Sequence, residues 1–116
     1  MRVHTYAKCD TCRKAVKWLK ARGIAYEEIP IREQLPSKAD LRRMLEVYGG
    51  DLKRLFNTSG GDYRELKLGE KLSSMSETEA LDLLAGNGNL VKRPFLLDRE
   101  GGLVGFKETE WESFFS

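Results

Sequence analysis

Apolar residues recur along the chain with two periods, and the switches between them mark its elements. Arg2 to Tyr6 carries β-branched Val3 and Thr5 and aromatic Tyr6, the pattern of a short strand. A polar loop follows, Ala7-Lys8-Cys9-Asp10-Thr11. From Cys12 the apolar positions fall at Cys12, Ala15, Val16 and Leu19, the spacing of a helix with one buried face. Gly23 is a natural C-cap, and Ile24 to Ile31 reads as a second strand. The chain therefore opens as a βαβ unit.

Helical signals dominate the middle. Ser37 with Asp40 resembles a capping box, and Leu41, Met44, Leu45 and Tyr48 form the apolar face behind it until Gly49-Gly50. Leu52, Leu55 and Phe56 suggest a short helix that stops in the loop Asn57-Thr58-Ser59-Gly60-Gly61, and Tyr63 to Leu68 one or two further turns. Ser76 with Glu79 is a second capping box, followed by Ala80, Leu83 and Leu84, and Gly86-Asn87-Gly88-Asn89 is a breaker. Phe95-Leu96-Leu97 then reads as a buried strand, Arg99-Glu100-Gly101-Gly102 as a hairpin turn and Leu103 to Phe106 as its return. Thr109 with Glu112 reads as a last capping box, opening a helix anchored by Trp111, Phe114 and Phe115. The order β-α-β, helical insert over residues 36–88, β-β-α describes one α/β domain spanning residues 1–116, without repeats or a dividing linker.

Composition narrows the class. A length of 116 residues suits one domain, and 41% apolar residues suffice for one core. Met1 to Tyr6 has neither a long apolar run nor a small-residue cleavage site, and no stretch approaches the roughly 20 apolar residues of a membrane span. The expected location is the cytoplasm, with no membrane partner. There a close cysteine pair stays reduced and reads as redox or metal chemistry rather than a staple. The net charge of +2 hides an asymmetry. Residues 1–60 hold 13 Lys/Arg against 7 Asp/Glu, net +6, and residues 61–116 hold 7 against 11, net −4. A basic half attracts anionic substrates, glutathione or an acidic protein. Neither a helix-turn-helix nor a strong basic stripe is present, so direct nucleic-acid binding is not expected.

The chemistry lies in Cys9-Asp10-Thr11-Cys12, placed where a strand and loop run into a helix. At the helix N-terminus, unpaired N–H groups and the helix dipole stabilise a thiolate. Lys8, Arg13 and Lys14 add positive potential, and Asp10 opposes it. Cys9 is accordingly the candidate nucleophile and Cys12 the candidate resolving thiol. Cys12 also occupies an apolar helical position, so packing alone is an alternative for it. Zinc would need two more ligands; with His4 the only histidine and no second cysteine pair, no metal site is expected.

The stretch Tyr6-Ala7-Lys8-Cys9-Asp10-Thr11-Cys12-Arg13-Lys14-Ala15 resembles the arsenate reductase family, in its Spx/MgsR and YffB-like branch. So do Asn57-Thr58-Ser59-Gly60, Lys92-Arg93-Pro94 and Val104-Gly105-Phe106-Lys107-Glu108. The resemblance implies a thioredoxin-like mixed sheet of about four strands with a helical insert, and a cis-proline, Pro94, facing the cysteine loop. It implies a thiol-disulfide oxidoreductase with Cys9, Cys12 and Arg93 in catalysis, and Lys8, Thr11, Asn57, Arg93, Pro94 and Lys107 around a substrate or glutathione. The family's oxyanion arginines are matched here only by Arg93. Asn57 stands at the first position and Lys107 near the third, and a lysine does not replace a planar bidentate donor. No tightly bound cofactor is expected, and glutathione is the expected co-substrate. Glutaredoxin, thioredoxin or glutathione are the implied redox partners. The alternative is an Spx-like regulator that uses a Cys9/Cys12 switch to bind the C-terminal domain of the α chain of RNA polymerase.

Overall fold

The computed structural model describes all residues, Met1–Ser116. Four strands and six helices follow in the order β1 (Arg2–Thr5), α1 (Asp10–Ala21), β2 (Glu27–Pro30), α2 (Lys38–Val47), α3 (Gly61–Glu65), α4 (Leu68–Lys71), α5 (Glu77–Gly86), β3 (Phe95–Asp98), β4 (Gly101–Val104) and α6 (Glu108–Phe115). Short 3₁₀ turns cover Leu52–Leu55 and Leu72–Ser74. The sheet order is β2-β1-β3-β4. β1 pairs parallel with β2 through Val3 opposite Glu28, and antiparallel with β3 through Val3 opposite Leu96. This is the thioredoxin-like mixed sheet that the resemblance implies.

Alternation along the strands divides the core between the two faces of the sheet. Val3, Leu96 and Leu103 face one side with Ala15, Trp18 and Leu19 of α1 and Trp111 of α6. Phe95, Leu97 and Val104 face the other side, where Leu41, Met44 and Leu45 of α2 pack with Ala80, Leu81 and Leu84 of α5. The helical insert thus covers the face opposite the cysteine-bearing helix.

Local chemistry sets the boundaries. Gly23, at φ +66, follows the last turn of α1. Its N–H donates to the Lys20 carbonyl at 3.1 Å, and the Ile24 N–H donates to the Leu19 carbonyl at 3.1 Å, the paired bonds of a Schellman stop. Both expected capping boxes form. Ser37 Oγ accepts from the Asp40 N–H at 3.1 Å, and Ser76 Oγ accepts from the Glu79 N–H at 3.1 Å. The third does not. Helix α6 starts at Glu108 with Lys107 as N-cap and no side-chain cap, so Thr109 already lies in its first turn. Two further expectations are corrected. The second strand is confined to Glu27–Pro30, because Ile24 belongs to the stop of α1. Gly101 and Gly102 pair with Asp98 and Leu97 inside the sheet, so the hairpin turns at Arg99-Glu100 alone. Gly102 is required by a close approach: a Cβ there would lie 2.7 Å from the Leu96 carbonyl oxygen and 2.7 Å from Met44 Cε.

Candidate active site

Strand β1 ends at Thr5, and the chain turns at once into α1. The Cys9 N–H donates to the Tyr6 carbonyl at 3.0 Å, which closes the turn. Arg13 reaches back and donates through Nε to the Ala7 carbonyl at 3.0 Å. Cys9 is the N-cap of α1, in extended conformation, and Cys12 falls three residues on, inside the first turn. Both are free thiols, with Cys9 half-buried and Cys12 only 2% exposed. The two cysteines lie 3.4 Å apart.

Their surroundings drive the two thiols apart. Burial raises the Cys9 pKa, but the Cys12 backbone N–H, the Cys12 thiol and the Arg93 guanidinium outweigh it, and the net pKa falls below the ordinary thiol value. Burial pushes Cys12 up to about 12; hydrogen bonding to Cys9 and the Cys9 charge also raise it, while the Tyr6 backbone and Arg93 oppose. The Cys9 thiol therefore gives up its proton before the Cys12 thiol does. Asp10 counts for less than its position suggests, because it forms an exposed pair with Arg13 at 3.3 Å.

Arg93 arrives from the other end of the chain. The Arg93–Pro94 peptide is cis, Pro94 is buried, and the Pro94 carbonyl accepts from the Gly105 N–H at 2.9 Å. One terminal nitrogen of Arg93 is buried without a hydrogen-bond partner. Its guanidinium lies 4.9 Å from the centroid of the Tyr6 ring. Arg93→Ala should move the pH profile of Cys9 alkylation to higher pH. Only the thiolate reacts, and a lowered pKa keeps it available at pH values where an ordinary thiol is protonated. The rate of iodoacetamide labelling against pH checks this, with a several-fold slower reaction expected on the acid side.

The other expected site residues divide. Lys8 and Thr11 are exposed on the cysteine loop. Asn57 is half-buried and donates its amide to the Asn89 carbonyl at 3.4 Å, so it holds two loops together. Lys107 is exposed at the start of α6 and lines a cavity of about 430 Å³ with Thr58, Lys92 and Arg54. The groups that set the Cys9 protonation are Cys12 and Arg93. Sequence reasoning missed Arg32, whose guanidinium lies 4.1 Å from the same Tyr6 ring centroid. It also missed the loop at Asn89, which accepts from Arg32 Nε at 2.9 Å. Asn87-Gly88-Asn89 carries only turn chemistry in the sequence, and nothing local reveals that it anchors a distant arginine.

Residues 4–114 match the model described as ArsC family. YusI of Bacillus subtilis is 56% identical over 107 residues, covering 92% of this chain and 91% of YusI. The regulatory protein MgsR of the same bacterium is 27% identical over 107 residues, covering 92% of this chain and 83% of MgsR. Among solved structures, a Bacteroides fragilis protein described as ArsC family related is 44% identical with a TM-score of 0.91, covering 97% of this chain and 94% of that one.

Proposed function

This chain belongs to the ArsC family, and on that premise we propose that it is a thiol-dependent reductase whose nucleophile is Cys9. The carrying observation is the inequality of the two thiols, one lowered beside Arg93 and the other buried and pushed up to about 12. The Cys9 thiolate attacks one sulfur of a substrate disulfide. That S–S bond breaks, a mixed disulfide forms on Cys9, and the leaving thiolate takes a proton from solvent. Cys12 then gives up its proton and attacks the Cys9 sulfur. The second thiol leaves, and a Cys9–Cys12 disulfide remains, so the two electrons gained by the substrate come from the cysteine pair. Glutathione, or the dithiol of glutaredoxin or thioredoxin, returns them in the cytoplasm. Asn57 spends its amide on Asn89 and Lys107 is exposed, which leaves Arg93 as the planar donor beside Cys9. That supports a disulfide over a tetrahedral oxyanion, which needs several such donors.

Cys12→Ser separates the two steps. Treated with glutathione disulfide, this variant should gain one glutathionyl group on Cys9 by intact mass, while the wild type should proceed to the Cys9–Cys12 disulfide. A wild type that stops at the mixed disulfide would assign Cys12 to packing, and absence of any adduct on either protein would defeat the reductase reading.

The similarity to MgsR supports a second reading, a redox-switched regulator that binds the C-terminal domain of the RNA polymerase α chain. It predicts capture of that domain in one redox state of the cysteine pair. Binding in neither state, in a pull-down with reduced and oxidised protein, would eliminate it.

A further inference from the structure

Tyr6 gathers two cations, and the reaction above uses only one of them. The Arg32 guanidinium carbon lies 4.1 Å from the ring centroid and that of Arg93 lies 4.9 Å from it, so the two are separated by no more than the sum, 9.0 Å. Neither arginine belongs to any of the ion pairs that the protein forms. Arg93 buries a terminal nitrogen with no acceptor, and a buried donor left unpaired carries a cost that a bound acceptor removes. Arg32 is exposed, and its Nε is tied to the neutral Asn89 side chain at 2.9 Å, which leaves its two terminal nitrogens free. Asp62 is the acid that feels Arg32, but its carboxylate already accepts from the amides of Asn87 at 3.0 Å and Asn89 at 3.3 Å. Arg32 is thus held at one end by an amide and along its face by an aromatic ring, with its fork open.

We propose that Arg32 binds a carboxylate of the oxidised thiol substrate, carried several bonds away from the sulfur that Cys9 attacks. The proposal rests on the reductase reading above. An arginine fork braced on an aromatic ring is pre-organised for bidentate carboxylate binding. Arg93, hydrogen-bonded to the Cys9 sulfur, serves the reacting end, and Arg32, against the same Tyr6 ring, serves the anionic end. The substrate class that spans them is a disulfide of an acidic low-molecular-weight thiol, of which glutathione is one.

Two readouts test this on the full chain. Glutathione sulfonate carries the same carboxylates and does not exchange with thiols. In NMR titrations of the reduced protein, Arg32→Gln should weaken its binding about tenfold, and Arg32→Lys should recover part of the loss. In turnover with thioredoxin dithiol as the electron donor, Arg32→Gln should raise KM for glutathione disulfide about tenfold with little change in kcat, and should leave the neutral hydroxyethyl disulfide unaffected. No binding of the sulfonate to the wild type, equal binding to wild type and Arg32→Gln, or an equal loss on the neutral disulfide would each overturn the assignment. So would an equal dependence of inorganic phosphate binding on Arg32, which would mark a general oxyanion site. If no disulfide is turned over at all, the reductase reading fails alone, and the titration still decides the role of Arg32.

Discussion

Cys9→Ser should reduce disulfide turnover by on the order of 10⁴-fold, to the level of the uncatalysed exchange, while leaving the fold intact. Serine at the N-cap satisfies helix N–H groups as well as or better than a thiol, so α1 keeps its start. What disappears is the nucleophile, since a serine hydroxyl in the same surroundings stays protonated. No neighbouring group rescues it. Cys12 is 2% exposed, and burial, the largest cause of its raised pKa, persists without Cys9, so it offers little thiolate and little access to a substrate. Cys12→Ser should instead retain the first chemical step. The two variants together therefore measure how unequal the thiols are. A coupled glutathione or thioredoxin assay checks the rates, and an unchanged far-ultraviolet circular dichroism spectrum shows that the loss belongs to the sulfur. Residual turnover in Cys9→Ser within tenfold of wild type would transfer the nucleophile to Cys12, against the burial of that residue.

Legibility in the sequence followed the range of the interactions. The helix faces, both real capping boxes and the Cys9 N-cap depend on residues a few positions apart, and each could be read locally. Thr109 with Glu112 has the same local spacing, yet α6 starts before it at Glu108. Gly102 shows a different failure. Next to Gly101 it looks like turn chemistry, but the constraint is the approach of Met44 from α2, far away in the chain. Arg93 was legible through its neighbour Pro94, whereas Arg32 sits in an ordinary charged loop after β2. Its significance comes from Tyr6 and Asn89, neither of which is near it in sequence. Asn57 lies in the loop its turn chemistry indicates, but its link to the Asn89 carbonyl at 3.4 Å joins residues far apart in the chain and has no local signal.

Trp111→Ala should cost about 3–5 kcal/mol of stability and weaken the active site from a distance. Trp111 is 1% exposed and packs edge-on against Phe106 at 5.1 Å and Trp18 at 5.8 Å. Alanine would leave a cavity between α6, α1 and the sheet, and would also strip the Gly105 carbonyl of the indole N–H that meets it at 3.0 Å. Gly105 is the same residue whose N–H donates to the Pro94 carbonyl. The indole is thus the back support of the loop that carries Arg93. A loss of this size should lower the urea midpoint with the slope unchanged, and should lower the melting temperature by more than about 10 °C. Trp111→Phe separates packing from the hydrogen bond. It keeps most of the buried ring and loses only the N–H, so it should recover most of the stability. If the loop is steadied through Gly105, Cys9 alkylation in Trp111→Phe should still shift toward higher pH, as in Arg93→Ala but less. An alkylation profile identical to wild type in that variant would confine Trp111 to the core and leave Arg93 positioned by Tyr6 and Pro94 alone.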